Sequence, residues 1–381
     1  MQTLQPTLRL GRDVWDSASM PVSEFRTRAD ALRAEMTRSG LDALLLYGNG
    51  LDECGYPAYI SNYTTKLPFA ALVILPREGE PVLMFQGSTR GQAAAQATTW
   101  IEDLRPCWDI AETCSAALAE KDLLGATLGF AGVRRLMPYD QWQKLSAAIV
   151  GAKRVDAEAF VDKLRAVKSD REIARVRRAS RIILGALDSL EATGFRAANE
   201  SLVAARLIHD ARVQGAEDVR VLIARPREQG WSFRPPEDFA IGNGETVIFH
   251  MAASWERYWS EAVRSFAVES ESFEALWNET QERQFQTMIS NLRPGRSVGE
   301  FARIAEREMG PANAALIHEY GIGNGIGVTA REWPVFSAPS EPLPHDIAIE
   351  RGMCFSIRLA LPDARTGFVI RGDTVIVDDV A

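Results

Sequence analysis

ETVIFHMAASWERYWSEAVRSFAVE, residues Glu245–Glu269, reads as two β-rich arms about a short turn. A turn centred on Trp255-Glu256 sets His250 opposite Glu261, and opposed residues on antiparallel strands share one face. A carboxylate beside an imidazole favours the imidazolium. The pair therefore suits general acid/base work or a substrate clamp. A structural cross-strand pair is the plainer alternative. This hairpin is the point from which the rest of the chain is read.

Downstream, MCFSIRLAL (Met353–Leu361) and GFVIRGDTVIV (Gly367–Val377) read as the last strands. Arg358 interrupts the apolar run of the first, and Arg371 precedes Gly372-Asp373 in the second. An arginine facing the core needs a carboxylate, either Glu261 or one on a substrate; an arginine on an edge strand needs none. GIGNGIG (Gly321–Gly327) lets backbone approach backbone or ligand, but it lacks the lysine and the strand context of a phosphate loop. Trp231, Phe233, Trp255, Tyr258, Trp259 and Trp333 crowd the same regions, as pocket lining or as core. Two helices, Phe273–Asn291 and Val298–Glu308, are expected after the hairpin, divided at Pro294-Gly295.

Upstream, Ser169 three residues before Glu172 forms a capping box that opens a long helix, with a second helix over Ser201–Gln214. Before about residue 155 strands alternate with helices: an amphipathic helix over Ser23–Arg38, then strands at Leu41–Gly48, Phe69–Pro76, Pro81–Phe85 and Thr127–Phe130, with a helix near Ser88–Ala97. This predicts an α/β (α+β) chain with domains at 1–160 and 161–381.

The composition, 46% hydrophobic and 25% charged, excludes a disordered or disulfide-framework chain. A net charge of −8 argues against nucleic-acid partners. The chain has no stretch apolar enough to span a bilayer and no basic-then-apolar leader, so the expectation is a cytoplasmic protein with free thiols and no membrane partner. Four His and four Cys are too few for a zinc cluster, though a carboxylate metal site stays open.

YISNYTT (Tyr59–Thr65), LRAVKSDREIARVRRAS (Leu164–Ser180), the hairpin, LRPGRSVGEF, HEYGIGNGIGVTAREWP, ERGMCFSI and GDTVIV follow the motif order of a known family. In that order the chain resembles the pita-bread family of creatinase, prolidase, aminopeptidase P and methionine aminopeptidase. The resemblance implies a creatinase-type N-terminal α/β domain followed by a pita-bread catalytic domain. It also implies a homodimer, with the loop Asn49–Tyr63 of a partner subunit at the pocket mouth.

The departures from the family's metal ligands carry the functional expectation. On the resemblance, His250 falls at the first ligand Asp, Glu261 at the second and Asn324 at the ligand His. Arg358 falls at the first ligand Glu, Gly372 at or beside the second, and Arg331 at an accessory His. A fixed cation at Arg358 repels two dications, so no metal and no cofactor are expected. Creatinase is the metal-free precedent, but its catalytic His would fall near Phe233-Arg234, where this chain has none. The expectation is a metal-independent hydrolase of a small, carboxylate-bearing amide or amidine. His250, Glu261 and Arg358 are its catalytic residues, and Asn324, Arg331, Phe233, Arg234, Trp259 and Tyr63 bind the small-molecule substrate. A lyase in the same pocket and a non-catalytic binding protein are the alternatives.

Overall fold

The structure, a computed structural model, describes residues 15–50, 54–65, 68–192, 199–225, 233–269, 272–309, 321–335 and 347–378. Trp231 and His318–Tyr320, named above, lie outside these residues. The chain divides into two compact units, Met1–Arg165 and Ala166–Ala381. No described helix is long and apolar enough to cross a membrane.

The first unit runs α1 (Val22–Ser39), β1 (Ala43–Asn49), α2 (Gly55–Ser61), β2 (Ala70–Pro76), β3 (Val82–Gln86), α3 (Gln92–Gln96), β4 (Asp103–Cys107), α4 (Ile110–Glu120), β5 (Thr127–Ala131), α5 (Val133–Leu136), α6 (Tyr139–Ala148), β6 (Lys153–Asp156) and α7 (Glu158–Ala166). The sheet order is β4-β3-β2-β1-β5-β6. β1 is buried along its whole length because it lies between antiparallel β2 and parallel β5. Its continuous apolar run is what a strand covered on both faces requires. Leu45, Leu72, Met84 and Phe130 share a core with Cys114 and Leu118 of α4 and Leu145 of α6. The helix expected near Ser88–Ala97 shortens to a 3₁₀ turn at Thr89–Gly91 and α3.

The second unit runs α8 (Asp170–Ala192), α9 (Glu200–Val213), β7 (Asp218–Ala224), β8 (Thr246–Trp255), β9 (Tyr258–Glu269), β10 (Ser272–Ala275), α10 (Glu279–Ile289), α11 (Val298–Met309), β11 (Gly323–Gly325), β12 (Glu332–Val335), β13 (Cys354–Asp363) and β14 (Gly367–Ile376). The capping box is present: Ser169 Oγ accepts from the Glu172 backbone N–H at 3.3 Å, and Glu172 accepts from that of Ser169 at 2.9 Å. The single helix expected over Phe273–Asn291 is corrected. Phe273 belongs to β10, paired with β9, and its buried ring packs on Phe249 and Phe266. The helix starts only after Asn278, whose side chain caps it.

The sheet order is β12-β11-β13-β14-β9-β8-β7, with β10 also on β9. Period-two alternation gives this sheet two chemically different faces. Val247, Phe249, Met251, Ala262 and Phe266 pack on α8 and α9, and Phe355, Ile357 and Leu359 pack on α10 and α11. The opposite face carries a smaller apolar group that includes Ile248, Val263, Ala360 and Ile370. The glycines of GIGNGIG serve the sheet. A Cβ on Gly323 would stand 2.1 Å from the Ser356 carbonyl oxygen, and one on Gly325 would stand 2.5 Å from that of Trp333.

Candidate active site

Two cross-strand rows on the face away from the helices bring the polar residues together. The first is Arg358, Gly372, Val263, His250 and Leu222, one residue from each of β13, β14, β9, β8 and β7. The second begins with Asn324, Ser356 and Thr374 and ends with Glu261, Ala252 and Arg220. Thr374 joins its halves: its Oγ1 accepts from the Glu261 N–H at 2.9 Å and donates to the Glu261 carbonyl at 3.1 Å.

The hairpin register differs from the expected one. His250 stands opposite Val263, and Glu261 opposite Ala252. The two-residue turn is Glu256-Arg257, with φ of 45° and 73°, one position later than expected. Positive φ at both central residues is the twist a tight hairpin prefers, though non-glycine residues adopt it reluctantly. Here α8 and a buried acid hold it: Arg175 pairs with Glu256 at 2.9 Å, and Glu217 accepts the Arg257 N–H at 2.9 Å. Moving a turn by one residue shifts the pairing by two, so His250 and Glu261 become diagonal neighbours on the same face.

Glu261 is the hub. Its buried Oε2 accepts from Ser356 Oγ at 2.8 Å and from Arg358 Nη2 at 3.0 Å. His250 Nε2 approaches the same oxygen at 3.5 Å, is itself buried and makes no hydrogen bond. Burial pushes the Glu261 carboxyl up, but His250, Arg358 and Ser356 outweigh it and hold it down at about 2. Glu261 is therefore a fixed anion at neutral pH, not a proton acceptor. The donors around it are only partly committed. Among the described residues none bonds Nε or Nη1 of Arg358, or Nδ1 of His250. The Phe233 ring packs against the imidazole, centroids 5.5 Å apart.

The other sequence-named residues fall in different places. Asn324 is buried, and its Nδ2 donates to the carbonyls of Gly325 at 2.8 Å and Ala330 at 3.1 Å, closing the glycine loop. Arg331 is exposed, and its carbonyl accepts from Thr329 Oγ1 at 3.1 Å. Arg234 points to Glu200, whose buried carboxylate it meets at 2.7 and 2.8 Å. Trp259 shares the face of Glu261, and its backbone N–H donates to the Gly327 carbonyl at 2.7 Å. Tyr63 belongs to the first unit, where its ring lies 5.3 Å from that of Phe85. Arg371 is on the helix-covered face, where it pairs with Asp373 at 2.9 Å and with Glu282. Sequence reasoning passed over Ser356 and Thr374. The period of two would have found Ser356, two residues before Arg358 on the same face.

Among the described residues, no group of three or more His, Cys, Asp or Glu side chains is gathered where it could hold a metal ion. Residues 174–379 match the sequence profile described as metallopeptidase family M24, and residues 28–167 match the Creatinase/Prolidase N-terminal domain. The Xaa-Pro dipeptidase of Pyrococcus horikoshii is 23% identical over 256 residues, 65% of this chain and 70% of that protein. The Xaa-Pro dipeptidase of Lactobacillus delbrueckii subsp. lactis is 22% identical over 333 residues, 82% of this chain and 86% of its own. Among solved structures, the prolidase of Pyrococcus horikoshii aligns at a TM-score of 0.71 and 19% identity, covering 92% of this chain and 95% of that one. The N-terminal domain of FACT complex subunit SPT16 from Cicer arietinum aligns at 0.65 and 14%, covering 94% of each. At these identities the structural likeness carries the fold, and function has to be argued from the site.

Proposed function

We propose that this chain, which belongs to metallopeptidase family M24, hydrolyses a C–N bond of a small carboxylate-bearing amide or amidine without a metal ion. The observation that carries this reading is the Arg358 guanidinium at 3.0 Å from Glu261 Oε2. Two dications need several anionic ligands around them. The two rows offer one carboxylate, one imidazole and a fixed cation already paired to that carboxylate. This donor set does not fit a dinuclear centre.

What these residues can do follows from their protonation. Glu261 stays ionised and favours a proton on His250 Nε2, the nitrogen facing it. That leaves the Nδ1 lone pair to take a proton from water as its oxygen bonds to the substrate carbon. The C–N bond then breaks as the same proton passes from Nδ1 to the leaving nitrogen. The uncommitted nitrogens of Arg358 hold the substrate carboxylate by a planar fork. Phe233 shields one side of the imidazole from water.

The test is turnover of N-acyl and N-amidino amino acids by chelator-treated protein, with oxygen-18 water as solvent. The expected result is cleavage that survives the chelator and places the label in the acid released from an N-acyl substrate, or in the urea released from an N-amidino one. Cleavage of Xaa-Pro dipeptides that appears only on adding manganese or zinc would overturn the metal-free reading. Unlabelled product would favour a lyase.

A further inference from the structure

β7 is the edge strand beside β8, and its Arg220 stands on the site face. It is opposite Ala252, which is opposite Glu261. His250, one row over, therefore has Glu261 on one diagonal and Arg220 on the other. Diagonal neighbours on paired strands lie about 7–8 Å apart, within reach of long side chains. The histidine is thus bracketed by a fixed anion and a fixed cation.

The placement of the Arg220 guanidinium follows from the small residues beside it. Ala252 and Ser254 are both buried on β8, which lies between Arg220 on β7 and Trp259 on β9. Neither is large enough to keep the two apart, and the guanidinium lies 4.4 Å from the indole centroid. Such stacking fixes a cation without consuming its hydrogen-bond donors. Asp218 Oδ2 is 3.6 Å away, and the arginine side chain is 55% exposed. Asp218 is 15% exposed, but at that distance it makes no hydrogen bond to the guanidinium, and the arginine end of the pair stays open to solvent. Among the described residues Arg220 makes no hydrogen bond.

Two arginines thus converge on β9 from opposite sides. Arg358 reaches Glu261, and Arg220 reaches Trp259, two residues earlier on the strand. Residues two apart on a strand are about 7 Å apart. We propose that Arg220, laid on Trp259, is a second anion subsite, so that the substrate is a compact dianion. One of its carboxylates lies on Arg358, the other on Arg220, and the scissile C–N bond lies over His250. The substrate class is then a dicarboxylate carrying an amide or amidine nitrogen. This rests on the hydrolase reading for the bond that is cleaved, but not for the binding of the two carboxylates.

The experiment is calorimetric titration of the full chain with succinate, glutarate and adipate, and with butyrate as the single-carboxylate control. At least one diacid is expected to bind tenfold or more tightly than butyrate. Arg220→Gln should bring that diacid to the level of butyrate while leaving butyrate unchanged. Asp218→Asn, which releases Arg220, should tighten the diacid two- to threefold. Arg358→Gln should weaken diacid and butyrate alike. Equal diacid affinity in wild type and Arg220→Gln, with unchanged melting temperature, would overturn the subsite, as would a wild type that prefers no diacid. Diacid binding without cleavage of any C–N substrate would retire the hydrolase reading and leave the subsite standing. Chelator-resistant cleavage that ignores Arg220 would do the reverse.

Discussion

The two faces of the eight-stranded sheet each carry an arginine–carboxylate cluster, and β14 and β9 contribute to both. On the helix-covered face Arg264 donates to the carbonyls of Val263 and Gly372 at 2.9 and 2.8 Å and to Asp373 at 2.6 Å. Arg371 pairs with Asp373 and Glu282 and lies over the Phe285 ring at 4.9 Å. On the opposite face Arg358 commits one nitrogen, His250 Nδ1 bonds no described residue, and Arg220 donates to no described residue. Similar residues commit most of their donors within the protein on one face and few of them on the other. A cluster that satisfies itself holds elements together, whereas one with unused donors has capacity left for a ligand.

Substitutions that exchange these roles would break the contrast. The largest expected effect is on the open face: His250→Ala should lower kcat by about 10²–10⁴, the range of a lost acid–base group, and Glu261→Gln, which removes the anion that orients the imidazole, should lower it by about tenfold or more. A variant within threefold of wild type removes that residue from the chemistry. Next, Arg358→Gln should raise KM for a carboxylate substrate by about tenfold or more, or about 1.4 kcal/mol. Arg371→Gln, the same charge loss on the other face, should leave KM within twofold. A matching rise in both would mean that bulk charge, not contact, governs binding.

Stability should divide the other way. Asp373→Asn removes the shared partner of Arg264 and Arg371 and should cost about 1–3 kcal/mol with kcat unchanged. Calorimetry and initial rates read the two quantities separately, and an undiminished melting temperature would deny the cluster its structural role. The smallest effect is on pH dependence. The Glu261 carboxyl is lowered in the folded chain from an ordinary 4.5 to about 2. Its stabilisation is therefore complete above the ordinary value and is lost as pH falls through the lowered one. Glu261→Gln should flatten the loss of stability between about pH 4.5 and 2. An unchanged acid limb would show that other carboxylates govern it.

Much of this was legible in the residue order. Ser169 and Glu172 announced α8, and the hairpin was visible from its two β-rich arms. The face shared by His250 and Glu261 survived a wrong turn position because a two-residue shift preserves the side on which each residue stands. What escaped was non-local. Ser356 is 95 residues from the Glu261 carboxylate it serves, and Arg371 is 89 from Glu282. The period of two puts Ser356 on the face of Arg358, but no local pattern says which distant carboxylate either Ser356 or Arg371 meets. The start of α10 was misplaced for a related reason: Phe273 packs with Phe249 and Phe266, and that tertiary contact fixes it as strand.

Gly372 has a consequence for the routes by which this site can change. A Cβ there would stand 2.9 Å from Val263 Cγ2 and 3.2 Å from Arg358 Cγ. No larger side chain enters position 372 without displacing these neighbours, so the glycine and the arginine are a coupled pair. A larger residue at 372 has to displace Val263 on β9 first and Arg358 on β13 second, so it needs room on both neighbouring strands. Change at position 372 is therefore tied to change at positions 263 and 358, and the arginine at the end of the row is accommodated by the absence of a side chain beside it.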